Sequence, residues 1–312
     1  MLHYNLLLII LLLLLNGCET TNHNVTKQAK PVSTRHFVTS YKQVMQILDD
    51  LGYTQEKFQK GMEKIPRVLM TRILAKWQRE ISKMPVSTKK SIFLRLMASN
   101  ALIANEEIKK KRDKLLSIVS KIGNSPITPK ESKWLKKIAK EYKVIKSDLE
   151  VLSRDKINQL IQRVDIVPPT IVVAQSAIES GWGTSRFACE GNALFGQWSF
   201  DPKNALKPKE QREHLGNYGI KKFDTLLNSV RDYILNLNTH LAYKDLRVHR
   251  AMLREKNLPL VGTKLAYTLR SYSEKGDEYV KDVILLIEKN NLKWLDHTQL
   301  SNKKAVIIHP KD

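Results

Sequence analysis

The sequence predicts a mainly α protein that carries one small β-prone lobe. Apolar residues recur at i, i+3 and i+4 through most of 36–295, the period of a helix with one buried face. That texture lapses at 201–222, which is polar, rich in Lys and Glu, and punctuated by Pro202, Pro208, Gly216 and Gly219. Helix-starting and helix-ending residues stand at the joints, as at Pro168-Pro169 and Ser180-Gly181. The chain has 312 residues, 42% of them hydrophobic, enough for one large or two modest domains with a substantial core.

Taken in order, the chain opens on an unbroken apolar run from Leu6 to Leu15. A bilayer-spanning helix takes about 20 residues, so this run suits a signal-peptide core instead. It ends at Leu15-Asn16-Gly17-Cys18, which resembles the lipobox of bacterial lipoproteins. The resemblance implies a signal peptide at 1–17 and a lipidated Cys18 as first mature residue, anchoring the protein in a membrane. Glu19, not an aspartate, follows the cysteine, which favours the outer membrane. Residues 18–35 are polar, rich in Thr, Asn and Lys, and read as a flexible tether.

A helical region is expected over 36–152. Phe37, Tyr41, Val44, Ile47 and Leu48 form one stripe, and Leu69, Ile73, Leu74 and Trp77 a second. A third stripe, through Ile92, Leu96, 98–103 and Ile108, runs into the basic cluster Lys109, Lys110, Lys111, Arg112 and Lys114. That cluster is either a solvated helix face or an attractor of anionic polymer or lipid. Gly123 to Pro129 breaks the chain, and a further helix carries Ser132, Trp134, Leu135 and Ile138.

A second domain is expected over 153–295. It starts with a short helix at 153–167, then the helix entered at Pro168-Pro169, with Ile171, Ala174 and Ile178 on its buried stripe. A strand is expected within 218–223, and a helix from Asp224 as N-cap, through Leu227, Val230, Ile234, Leu237 and Leu241. Helices at 247–256, 263–272 and 277–290 follow, and 296–312, with 301–312 outside any pattern, reads as a tail.

Lys+Arg number 53 and Asp+Glu 31, a net charge of +22, which points to nucleic acid, an anionic membrane face or an acidic polymer as partner. An exported chain does not meet the chromosome, so nucleic acid is set aside. Of the two cysteines, lipidation of Cys18 leaves Cys189 as a lone thiol. His214, His240 and His249 lack metal-ligand spacing, so no metal and no cofactor is expected.

The chemistry concentrates at Glu179. It falls in the last turn of its helix, facing the negative end of the helix dipole. Dipole and burial both raise a carboxyl pKa there, and a carboxylic acid kept neutral is what a general acid requires. Trp182 and Phe187 follow and can wall it off from water.

Three blocks carry a family resemblance: AIESGWGTSRFA, GNALFGQW and a distant YSEKGDEYVKDV. Together they resemble the glucosaminidase domain of flagellar muramidase-like peptidoglycan hydrolases, glycoside hydrolase family 73, and within it the Bax-type proteins. Ser229, Asp232 and Tyr233 fall where that family carries a Ser…Asp-Tyr helix. The resemblance implies a lysozyme-like α+β catalytic domain and cleavage of β-1,4 N-acetylglucosaminyl bonds in cell-wall glycan. It implies Glu179 as catalytic acid and Tyr272 as a cleft tyrosine able to orient the sugar N-acetyl group or a water. A second carboxylate is implied in the polar lobe: Glu213 first, then Glu210 and Asp224, with Asp201 behind them. Asp224 is equally an ordinary N-cap. A substrate 2-acetamido group can also serve as nucleophile, so the second acid stays open.

Trp182, Phe195 and Trp198 are candidates for the sugar subsites, Phe195 and Trp198 equally for the core, and Asn192 for a turn. The partner implied is the peptidoglycan glycan strand, with the membrane reached through the lipid anchor. Two other functions fit. One is a lytic transglycosylase, although its Gly-Leu-Met-Gln block is absent and Asn-Ala-Leu-Phe-Gly stands instead. The other is a non-catalytic peptidoglycan-binding lipoprotein.

Overall fold

Two helices that cross in the core hold the rest of the chain in place. They are known from a computed structural model that describes residues 33–74, 77–80, 83–208 and 218–311, leaving out the side chains of 78 and 79. The elements in chain order are β1 (Thr34–Val38), α1 (Tyr41–Asp50), α2 (Gln55–Lys60), β2 (Lys64–Ile65), β3 (Val68–Met70) and α3 (Trp77–Glu80). Then come α4 (Val86–Val119), α5 (Pro129–Glu141), α6 (Arg154–Arg163), α7 (Pro169–Ser180) and α8 (Arg186–Gly191). A small lobe follows, of β4 (Trp198–Ser199), β5 (Ala205–Leu206) and β6 (Gly219–Lys221). The chain closes with α9 (Leu226–Thr239), α10 (Lys244–Glu255), α11 (Gly262–Leu265), α12 (Asp277–Lys289), β7 (Gln299–Leu300) and β8 (Val306–Pro310).

Helix α4 extends about 50 Å at 1.5 Å per residue. Residues 91–105 are buried on all sides, whereas beyond Ile108 only Leu115 and Ile118 are. The first half therefore packs in the main core against α7. The second half joins a smaller cluster with Leu135, Ile138 and Leu160. Helix α7 is mostly apolar and buried from Pro169 through Ala177, as a helix enclosed by others is, with Thr170, Gln175 and Ser176 the buried polar residues of that stretch.

Its start is fixed from two sides. Asn105 of α4 grips the backbone of Val167, donating to its carbonyl at 2.7 Å and accepting from its N–H at 3.2 Å. Asp296 accepts from the Thr170 N–H and hydroxyl and from the Gly262 N–H, tying the starts of α7 and α11 together. Behind them, Asp165 gathers Arg254 at 2.9 Å, with Arg112 and Arg250 within 4 Å. Burial works to raise the Asp165 pKa, yet Arg250, Arg254 and Arg112 together hold it below the usual value.

The mainly α character and the small lobe agree with expectation, and the strand expected within 218–223 is β6. Four local expectations are corrected. Residues 34–38 are strand, not tether or helix, and the first helix starts at Tyr41 because Ser40 caps it. Within the stripe from Leu69 to Trp77, Leu69 lies in β3, residues 71–74 are non-helical and Trp77 begins α3, because β3 pairs with β8. The N-cap of α9 is Thr225, not Asp224, its hydroxyl accepting from the Asn228 N–H.

The fourth correction is the tail. Residues 306–310 form the middle strand of a parallel sheet ordered β1-β8-β3, and Thr34 to Val38 pair with Val306 to Pro310 in register. Asp296, also in the expected tail, holds α7. From Ser33 onward the chain clusters as one compact unit. The signal peptide, Cys18 and the tether up to residue 32 lie outside the described residues.

The basic cluster on α4 is dispersed rather than pooled. Lys109 pairs with Asp113, Lys110 with Glu106 and Lys111 with Glu141, and Arg112 donates to the Ile161 and Val164 carbonyls. Lys114 lies over the Trp134 ring at 4.6 Å.

Candidate active site

The helix carrying Glu179 stops where the residues dictate. Gly181 takes the left-handed conformation at φ 57° as C-cap, and Trp182, at φ 62°, continues the turn. The Ser180 hydroxyl donates to the Ser176 carbonyl and accepts the Gly183 N–H at 2.8 Å, so the Ser-Gly-Trp-Gly turn is tied back to its own helix. An added Cβ on Gly183 would meet Phe93 and Ile73 at 3.1–3.2 Å, a second reason for glycine there.

Glu179 is half-buried. Its Oε1 accepts a hydrogen bond from the Tyr279 hydroxyl at 2.6 Å. Gln175, one turn earlier on the same face, donates from Nε2 to that same hydroxyl oxygen at 2.8 Å. Tyr233, in turn, donates to Gln175 Oε1. The chain Tyr233–Gln175–Tyr279–Glu179 thus runs in one direction, every donor pointing toward the carboxylate. Burial raises the Glu179 pKa, and the Tyr279 hydrogen bond acts against it. In return the carboxylate contributes to raising the pKa of Tyr243, Tyr272 and Tyr279, after burial in each case.

The wall around Glu179 is therefore made of tyrosines. Tyr272 stacks on Tyr279 at 5.5 Å and meets Tyr243 at 5.9 Å and Tyr233 edge-on at 6.1 Å. Trp182 and Phe187, expected to form it, are engaged elsewhere: Trp182 lies against Phe93 under the Lys90 ammonium, and Phe187 lies under Arg186. The Tyr272 hydroxyl donates to the Phe195 carbonyl at 3.2 Å, so this tyrosine presents its ring.

An open groove of about 510 Å³ adjoins this wall, reaching it at Tyr243. Trp198, 50% exposed and stacked on Tyr218 at 4.7 Å, and Phe200, 69% exposed, line it with Gln197 and Asp232. Phe195 does not: it is 3% exposed, its ring stacked on Tyr233 at 3.9 Å, with no face left for a sugar. The GNALFGQW block instead joins α8 to α9. The Leu194 N–H donates to Ser229 Oγ, Gln197 Nε2 donates to Asp232, and Asn192, left-handed at φ 52°, donates to the Phe223 carbonyl.

Of the second-carboxylate candidates, Glu213 and Glu210 lie outside the described residues. Asp224 is exposed, and Asp201 is used in its own turn, accepting from the Lys203 N–H and from Asn204. Among the described residues, no second carboxylate enters the balance on Glu179.

The sequence reading passed over Gln175 and Tyr243 and gave Tyr279 no role. Gln175 was visible as the i−4 neighbour of Glu179, and Tyr279 stands inside the YSEKGDEYVKDV block. Tyr243, at the end of NLNTHLAY, had no local signal.

Comparison with known proteins bears on this geometry. Residues 154–292 match the glucosaminidase family, described as mannosyl-glycoprotein endo-beta-N-acetylglucosaminidase. The chain is 34% identical over 214 residues to Protein bax of Escherichia coli (strain K12), covering 68% of this chain and 73% of that one. No solved structure matches. With Glu179, Tyr272 and Tyr279 all inside the matched span, the chain belongs to the Bax-type proteins, which carry a glucosaminidase domain.

Proposed function

We propose that this chain is a peptidoglycan hydrolase that cleaves β-1,4 N-acetylglucosaminyl bonds, with Glu179 as general acid. The supporting observation is a carboxyl whose pKa burial raises, held by one phenol at a helix end, within a tyrosine wall that a groove rimmed by exposed Trp198 reaches at Tyr243. With Oε1 occupied by Tyr279, the proton to be donated sits on Oε2. It passes to the glycosidic oxygen as the C1–O bond breaks, and the leaving sugar departs as an alcohol. Trp198 offers a flat apolar face for a pyranose ring.

The charge left at C1 is taken in one of two ways, which differ in product anomer. Attack by the substrate 2-acetamido oxygen, then by water, retains configuration. Water activated by Glu213 inverts it, with the two carboxyl groups about 6.5–9.5 Å apart. NMR of the first product anomer separates the routes.

Digestion of purified sacculi tests the reading. Wild type is expected to release glycans ending in reducing N-acetylglucosamine, and Glu179→Gln to lose about 10²–10⁴-fold in rate, the usual contribution of a general acid. Anhydromuramic ends would show a lytic transglycosylase instead, and sacculus binding without clearing a non-catalytic binder. We further propose that Cys18 is lipidated and holds the enzyme at the outer membrane, facing the periplasm. Among the described residues no helix is long and apolar enough to cross a membrane.

A further inference from the structure

One face of α9 is partly exposed from Asn228 to Asn236 and ends on the buried Thr239. Asn228, Arg231, Asp232, Leu235, Asn236 and Thr239 recur at helical spacing, and together they floor two grooves. Asp232 through Thr239 face the 510 Å³ groove beside the active-site tyrosines. Asn228 through Leu235 face a second groove of about 320 Å³. Lys221, Asp232 and Leu235 line both, so the two adjoin and together make a trough along α9. From Asn228 to Thr239 it follows about 16 Å of helix at 1.5 Å per residue.

The far wall of this trough comes from outside the family match. Glu107 and Lys111 project from α4 and Glu141 from the end of α5, all before residue 154, where the match begins. Resting on the glycan-hydrolase reading above, we propose that the far groove is a distal glycan subsite that the helical N-terminal region adds to the glucosaminidase domain. Its ligand class is the neutral, hydroxyl- and acetamide-bearing sugar backbone of a strand whose scissile bond lies at Glu179.

Charge pairing selects that ligand class. Three cations line the far groove, and each holds a carboxylate: Arg231 with Glu107, Lys111 with Glu141, and Lys221 with Asp232, all at 2.5 Å. Despite the net charge of +22, this wall is electrically balanced. An anionic ligand would meet a carboxylate beside each cation, which cancels the charge that would attract it. A sugar hydroxyl displaces nothing, because each lysine keeps spare N–H donors and each carboxylate spare lone pairs. The paired side chains are all half-exposed and so reachable. The half-buried Phe223 ring, with the Lys221 ammonium over it at 5.3 Å, adds an apolar surface to the groove.

The test uses the full chain with Glu179→Gln as a non-cleaving trap, titrated calorimetrically with peptide-free glycan strands of increasing length. The same trap carrying Glu107→Ala and Lys111→Ala is compared with it. Exposed ion pairs contribute only about 0–1 kcal/mol, so the variant folds, which its thermal melt verifies. The expected result is an affinity lowered about tenfold for long strands, the loss of one or two hydrogen bonds to charged groups, and unchanged for short ones. Equal affinities at every length, or a loss independent of length, overturn the subsite. So does binding that requires peptide-bearing strands and collapses in high salt, which would mark an anion site. Wild type is assayed for cleavage in parallel: length-dependent binding without cleavage keeps the subsite and removes the hydrolase reading. Absence of glycan binding at any length removes both.

Discussion

At the scale of single residues, the chemistry turns on one carboxyl under two opposed influences. Burial raises the Glu179 pKa, and the Tyr279 phenol lowers it. In the proposed role the protonated form donates, so activity is expected below the folded-state pKa and is lost as pH rises through it. Tyr279→Phe removes the opposing influence and is expected to move the alkaline limb of the pH–rate profile upward, keeping the peak rate within about tenfold. A limb that stays in place would show that the phenol does not set this pKa. The same substitution leaves the Gln175 amide without its acceptor and should lower stability by about 1–3 kcal/mol. Glu179→Gln should act in the other direction. A carboxyl with raised pKa binds its proton more tightly folded than unfolded, so its contribution is present in acid and is lost as pH climbs to the raised value. The variant should melt with wild type at low pH and at or above it near neutrality, as pH-dependent thermal melts will record.

At the scale of elements, α7 is positioned by parts far away in sequence, through Asn105 on α4 and Asp296 beyond α12. Strand β8 does similar work for the opposite side of the fold. Its Ile308 is fully buried, with β1 on one flank and β3 on the other. Ile308→Ala is expected to cost about 2–5 kcal/mol, the range for emptying a core site, read as a lower urea midpoint with an unchanged slope. A solvated tail would show no change. The helices were legible because their information is local: Pro169 at the start of α7 and the glycine after its end are neighbours of the turns they make. The strands were not. Thr34 meets Val306 and Val68 meets Val306, and no period in a short window reveals a partner that distant.

For the molecule as a whole, charge and anchoring concern how the proposed hydrolase would meet the cell wall. The excess of 53 basic over 31 acidic residues favours approach to a wall rich in carboxylates, over a range that salt shortens to about 8–10 Å. The balanced trough would then, on the proposal above, read the sugar backbone. Lipidation at Cys18 would confine this encounter to the membrane side of the wall. Cys18→Ser is expected to move the protein from membrane to soluble fractions while leaving the rate on isolated sacculi unchanged. Continued fractionation with membranes would count against the anchor.

Sequence alone was enough for the mainly α class, the polar lobe, the limits of α7 and the place of Glu179 in its last turn, because propensity, capping and helical period act between near neighbours. Only the tertiary structure decided what surrounds that carboxyl. Tyrosines from α9, from 272 and from α12 converge on it, while Phe195 is enclosed and Trp182 leans on α4. It also decided that the chain's last strand is core and that α4 and α5 wall the trough. Side-chain surroundings are set by which surfaces pack together, and packing depends on contacts between residues hundreds of positions apart.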